Sequence, residues 1–186
     1  NDDICIISII SRLASHKGID LILDKFHEIM LDNVQVIILG KGDYYYEQRF
    51  QEMARFYPKR VSALITYDMD LSKRIYSGSD LFLMPSVAEA FGLMAIEAMA
   101  CSLPVIVFEG TSLPSVTFSP ECGIALKRGD TDSFVNTVER LISSPKECRE
   151  RGNLGRELAV EHYKIERYNK QLIELYTKIY WKSKRK

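Results

Sequence analysis

The 186-residue chain has no surplus of either charge, with 25 Lys and Arg set against 25 Asp and Glu. A dedicated nucleic-acid binder carries a basic footprint, so that class is disfavoured and no nucleic-acid partner is expected. Long apolar runs are missing too, and no stretch approaches the roughly 20 residues that span a bilayer. The early run Ile4 to Ile10 is interrupted by Ser8 and follows Asn1-Asp2-Asp3 instead of a positive segment, so it fails as a signal peptide. Cysteine is scarce. Cys5, Cys101, Cys122 and Cys148 form no Cys-x-x-Cys and no metal-ligand spacing. Unpaired thiols fit a reducing compartment, which makes the cytoplasm the expected location. There is no internal repeat and no Pro/Gly-rich linker. No Gly-x-Gly-x-x-Gly follows the first apolar run, which disfavours a dinucleotide oxidoreductase.

What is present is a regular alternation. Short, nearly all-apolar runs occur at Ile4–Ile10, Val34–Leu39, Val61–Thr66, Leu81–Met84, Pro104–Val107 and Gly123–Leu126. Such runs suit strands buried on both faces of a parallel sheet. Between them the apolar residues fall at helical spacing: Leu21, Ile22, Phe26 and Ile29, then Phe50, Met53, Ala54 and Tyr57. Met94, Ile96, Ala98, Met99 and Ala100 make a stretch that is apolar almost all round, which predicts a well-covered helix. After Leu126 only helices are expected: one over Asp130 to Leu141, then two over Lys146 to Lys182, with Gly152 and Gly155 as soft spots. The pattern predicts one α/β domain over residues 1–186. Its core is a doubly wound, Rossmann-like parallel sheet of about six strands, followed by C-terminal helices over 146–186.

In such a sheet ligands bind beyond the carboxyl ends of the strands, where strand order reverses. The loop after the first strand reads Ser11-Arg12-Leu13-Ala14-Ser15-His16-Lys17-Gly18. Arg12 and Lys17 suit a diphosphate, one as a planar fork and the other as a point charge. They equally suit a pair of solvated cations, one of them ion-paired. The loop after the fourth strand runs from Pro85 to Glu97 and carries Glu89, Gly92 and Glu97. A helix opening there presents free N–H groups to an anion, and Gly92 lets a ligand approach the backbone. Glu97 stands in an otherwise apolar helix, so a buried carboxylate there needs a donor, for which sugar or ribose hydroxyls qualify. The competing readings are a Ser86/Glu89 capping box, and a Glu97 satisfied by backbone or a tyrosine.

Glu89-x7-Glu97, set in PSVAEAFGLMAIEAMACSLPVI, resembles the Glu-x7-Glu motif of retaining glycosyltransferases with the GT-B fold. SRLASHKGIDLIL resembles the Arg/Lys phosphate segment of the same enzymes. RIYSGSDLFLMPS is similar to the approach to the motif in family-4 glycosyltransferases and in glycogen and starch synthases. The resemblance runs from Ile4 to about Tyr180. It implies that Arg12 and Lys17 hold the donor's diphosphate and that Glu97 takes the ribose hydroxyls. Glu89 would lie beside the transferred sugar. Phe91, Gly92 and Leu93 would supply the helix-start backbone that meets sugar and phosphate. The substrate so implied is a nucleotide sugar, a UDP-sugar first. No other cofactor is implied, and with two cations and a helix dipole at the diphosphate a metal ion is unnecessary. The acceptor is a glycan or a lipid-linked saccharide, as in polysaccharide or lipopolysaccharide synthesis, with a glucan synthase as the alternative. The chain looks like the donor-binding half of such an enzyme, with Tyr163 to Trp181 crossing back to an N-terminal acceptor domain. A catalytically silent nucleotide-binding module is a further alternative.

Two features depart from the family pattern. Ala90-Phe91 replaces the Pro-Cys usual in glycogen synthases, which favours the family-4 type. After the fifth strand Gly110 has no second glycine, and Ser115 stands where an acid is common, which puts the sugar-reading contacts in question. Other signals are weaker. Gly40-Lys41-Gly42-Asp43 is expected to be a strand-to-helix turn, with phosphate contact as the less favoured alternative. Tyr44-Tyr45-Tyr46 suggests either a stacking platform or a face packed on another domain. Tyr67, just past the third strand, is placed where a nucleotide base could rest. The basic end, Lys178 to Lys186, could touch an anionic membrane surface, although a frayed, solvated helix end is the favoured reading.

Overall fold

The structure is a computed structural model that describes residues 4–184. Six strands, β1 (Cys5–Ile10), β2 (Val34–Leu39), β3 (Val61–Leu64), β4 (Leu81–Met84), β5 (Val105–Phe108) and β6 (Ile124–Leu126), form one sheet. Its order is β3-β2-β1-β4-β5-β6, and every neighbouring pair is parallel. The chain therefore winds outward from β1 in one direction and from β4 in the other, so strand order reverses between them.

The strand alternation explains why both faces are covered. Ile7, Ile9, Leu81 and Leu83 point to one side. There they meet α1 (Ile19–Asp24), α2 (Phe26–Ile29), α3 (Tyr44–Phe56) and α7 (Thr131–Ile142), whose Phe26, Phe50 and Phe134 are fully buried. Ile10, Phe82, Met84, Val105 and Val107 point to the other side. They meet α4 (Met69–Gly78), α5 (Leu93–Ala100), α6 (Leu113–Val116) and part of α8 (Pro145–Tyr163). Ser8 is the polar member of β1, and it is buried with its hydroxyl donating to the Leu81 carbonyl at 3.4 Å.

The helices differ from the sequence expectation in several places, among them the short α6 in the loop after β5. The helical spacing from Leu21 to Ile29 is split at Lys25, which leaves two short helices packed on one face. The segment between β3 and β4 is helical (α4), started by Asp68, whose carboxylate accepts from the N–H groups of Asp70 and Leu71. Gly152 and Gly155 are not soft spots. α8 is continuous through both, and a side chain added at Gly152 would put its Cβ 1.9 Å from the Ser102 carbonyl oxygen. These glycines are where α8 closes on α5.

The last helix, α9 (Ile165–Lys184), buries no residue. Ile165, Tyr168, Tyr176, Ile179 and Trp181 are all exposed along it. Lys178, Lys182 and Lys184 lie on its final turns, whereas Arg185 and Lys186 of the basic end lie outside the described residues. No described helix is long and apolar enough to cross a membrane.

Candidate functional site

The loops after β1 and β4 are joined across the reversal point. The His16 carbonyl accepts from the N–H groups of Val87 (2.9 Å) and Ala88 (3.2 Å). Gly18, at φ +73°, lies so close to the Pro85 carbonyl that an added Cβ would sit 1.9 Å from its oxygen. Only glycine meets both demands, a left-handed backbone and contact with another backbone. The turn that places Lys17 is thus fixed to the loop that carries Glu89.

A cleft of about 1070 Å³ opens beside this junction. It is walled by Arg12, Lys17, Tyr67, Glu89, Phe91, Gly92, Leu93 and Glu97, so the candidate donor-site residues reach one space. Their states differ. Arg12 is exposed, and its side chain makes no hydrogen bond or ion pair among the described residues, so its guanidinium is free to take an anion. Lys17 is not free. Its Nζ lies 2.6 Å from Glu89 Oε2, with the two side chains 13% and 14% exposed. The reading in which one cation is ion-paired holds for Lys17, and its partner is the first acid of the Glu-x7-Glu motif.

Burial alone would raise the Glu89 carboxyl. The Lys17 ammonium and the N–H groups of Phe91 and Ala90 outweigh it and hold the carboxyl below its ordinary value. Glu89 is thus an anion with partners already in place. The competing reading of Ser86 and Glu89 as a capping box does not hold. Residues 86–92 are a loop, α5 starts only at Leu93, and the cap position is Gly92 at φ +93° with no side-chain cap. Ser86 is buried and its hydroxyl has no hydrogen-bond partner among the described residues.

Glu97 corrects the sequence reading. Ala95, Ala98 and Met99 are buried, but Glu97 sits on the exposed side of α5 and faces the cleft. Its carboxylate accepts from the Tyr76 hydroxyl at 3.2 Å. Tyr76 is nearly fully buried against Phe82, and burial first, then the neighbouring Glu97, pushes its phenol upward. One carboxylate edge is thereby positioned while the group remains open to solvent. Tyr67 is 85% exposed at the rim. Asp68, beside it, is engaged as the α4 cap and is not a free ligand.

The loop after β5 supports the motif from below. The Ser112 hydroxyl donates to the Glu89 carbonyl at 3.2 Å, and Leu113 packs so closely under Gly92 that an added Cβ would be 2.4 Å from its Cδ2. Ser115 is exposed on α6 and does not line the cleft. Gly40 and Gly42 press on the backbone carbonyls of Ser11 and Leu13, as a turn requires. The competing reading of a Glu97 satisfied by a tyrosine holds, with Tyr76 as the donor. The contributions of Ser112 and the His16 carbonyl were not foreseen.

The family described as glycosyl transferases group 1 matches residues 1–158. The chain is 35% identical over 182 residues to a glycogen synthase of Clostridium perfringens, covering 97% of this chain and 38% of that protein. It is 45% identical over 148 residues to a glycogen synthase of Anoxybacillus flavithermus, covering 76% of this chain and 31% of that protein. The chain thus spans about a third of the length of the curated relatives it matches. Among solved structures, a sucrose-phosphate synthase of Thermosynechococcus elongatus superposes with a TM-score of 0.83 at 26% identity, over 97% of this chain and 46% of that one.

Proposed function

The chain belongs to the group 1 glycosyl transferases, it has their GT-B type of α/β fold, and from that premise we propose that its cleft binds the nucleotide-sugar donor of a retaining transfer. One observation carries the reading. Arg12, Lys17, Glu89, Glu97 and Tyr67, scattered from β1 to α5, share one cleft at the point of strand reversal. In this reading Arg12 forks onto the diphosphate. Lys17, with three donors, keeps Glu89 and adds a phosphate oxygen. The N–H groups at the start of α5, reached over Gly92, complete a donor set aimed at the charge that develops on the leaving diphosphate. Phe91 and Leu93 flank that opening. Glu97 accepts the ribose hydroxyls, Tyr67 stacks on the base, and Glu89 orients the sugar. The leaving phosphate takes the acceptor's proton on the same face, so no protein base is assigned. The donor set is cationic and N–H in character, so binding is expected to survive chelation of divalent ions.

For the transferred group, the glycogen synthase relatives favour a glucosyl donor and a glucan acceptor over a lipid-linked saccharide. Uridine and adenosine diphosphates are both candidates. The bare, apolar stripe of α9 suits the acceptor domain that this half of the fold needs. Calorimetric titration with UDP, GDP and ADP tests the proposal. Selective binding of one nucleotide, lost in Arg12→Ala and in Glu97→Ala, is the expected result. Binding untouched by either change would remove the cleft assignment.

A further inference from the structure

Outside the cleft, one pair of side chains has chemistry that the donor site does not use. Tyr44 and Tyr45 open α3 and are 74% and 62% exposed. They are not a loose surface pair. Tyr45 meets Tyr46 edge to face at 5.3 Å, and Tyr46 is buried with its hydroxyl donating to both carboxylate oxygens of Asp20 at 2.9 Å. The turn before them is held as well, because Glu47 accepts the Gly42 N–H at 2.9 Å and the Asp43 N–H donates to the Leu13 carbonyl at 2.7 Å. Two rings are therefore presented on a braced backbone, so little conformational freedom is lost when they are covered.

Their surroundings point to the occupant. Lys41 and Asp43 are exposed beside them, Glu47 and Gln48 are half-buried one turn on, and no large aliphatic side chain is exposed between residues 5 and 55. A protein or lipid partner is met by a continuous apolar patch. Flat aromatic faces ringed by charged and amide groups match a sugar chain instead, whose C–H faces stack while its hydroxyls find donors and acceptors. The position agrees, since Lys41, three residues before Tyr44, is itself in the wall of the donor cleft. We propose that Tyr44 and Tyr45 form a stacking platform for a linear α-glucan, a binding site separate from the donor cleft that holds the acceptor polymer near it. This rests on the glucan-transfer reading above.

Native gels cast with and without glycogen test this directly on the chain. The expected result is retardation by glycogen that soluble maltoheptaose relieves. Tyr44→Phe/Tyr45→Phe should keep the retardation, whereas Tyr44→Ala/Tyr45→Ala should weaken apparent affinity about tenfold or more. Tyr44→Ser alone, with circular dichroism melting of each variant, guards against a misfolded double change. No retardation of the native chain, or equal retardation of the alanine pair, overturns the platform. Nucleoside diphosphate binding measured on the same samples separates the two proposals. If the native chain binds nucleotide but not glucan, only the platform falls, whereas failure to bind any nucleotide falls on the donor cleft itself.

Discussion

Lys17 Nζ lies 2.6 Å from Glu89 Oε2, an ion pair between the loop after β1 and the loop after β4 that closes the seam where strand order reverses. The phosphate-side cation and the sugar-side acid of the proposed donor site are therefore one unit. A change at either alters its partner, so their effects should not add. Lys17→Ala, Glu89→Gln and the double variant, compared for donor turnover in the complete enzyme, should show a double loss clearly smaller than the product of the single losses. Fully multiplicative losses would mean that the pair does not act together.

The same pair sets a pH signature for stability. Burial would raise the Glu89 carboxyl above its ordinary 4.5, but Lys17 and the N–H groups of Phe91 and Ala90 bring the folded value below it. A lowered folded value adds stability that is complete above the unfolded value and is lost as pH falls through the folded one. The melting temperature of the native chain should therefore exceed that of Glu89→Gln at pH 7 and at pH 5, and the gap should close only below 4.5. A gap unchanged down to pH 3 would show that Glu89 gains nothing from ionising in the folded state.

Arg12 is the contrasting case. Its side chain is exposed and has no hydrogen-bond or ion-pair partner among the described residues, so Arg12→Ala should leave the melting temperature almost unchanged, within the roughly 0.5 kcal/mol usual for surface changes. Nucleoside diphosphate affinity should nevertheless fall, by about 1.5–3 kcal/mol for a hydrogen bond to a charged group. Calorimetry and a thermal melt of the same variant check both halves. A large stability loss would mean that Arg12 has a structural role.

Much of this site was legible in the sequence because the relevant signals are local. The strands are short apolar runs between polar loops, and β1, β2 and β4 come within a residue of their expected bounds. Arg12, Lys17 and the Glu-x7-Glu pair stand at loop positions that the strand ends fix. What was not legible depends on partners remote in the chain. Glu97 looked buried because its sequence neighbours are apolar, yet the helix turns it toward the cleft while Ala95, Ala98 and Met99 face the core. The Lys17–Glu89 pair joins residues 72 positions apart, and no spacing rule reveals it. α4 went unrecognised because its Leu71, Ile75 and Tyr76 are sparse among polar residues and its start depends on the Asp68 cap.

Glycines in α8 give the sharpest test of packing against propensity, because two of them three residues apart should respond with opposite sign. In a helix interior Gly→Ala gains about 0.5–1 kcal/mol from backbone entropy alone. At Gly155 an added Cβ meets Met99 Cγ at 3.7 Å and Cys122 Cβ at 3.8 Å, which is ordinary contact, so Gly155→Ala should raise the melting temperature. At Gly152 the new Cβ would sit 1.9 Å from the Ser102 carbonyl oxygen and 2.7 Å from its carbon. Backbone cannot swing aside as a flexible side chain can, so α8 must move off the end of α5. Overpacking of this kind costs roughly 1–3 kcal/mol, which exceeds the helix gain. At about 2–4 °C per kcal/mol for a chain of this size, Gly152→Ala should melt several degrees below the native protein and Gly155→Ala a few degrees above it. If both substitutions stabilise, α8 does not pack on the Ser102 turn as closely as described.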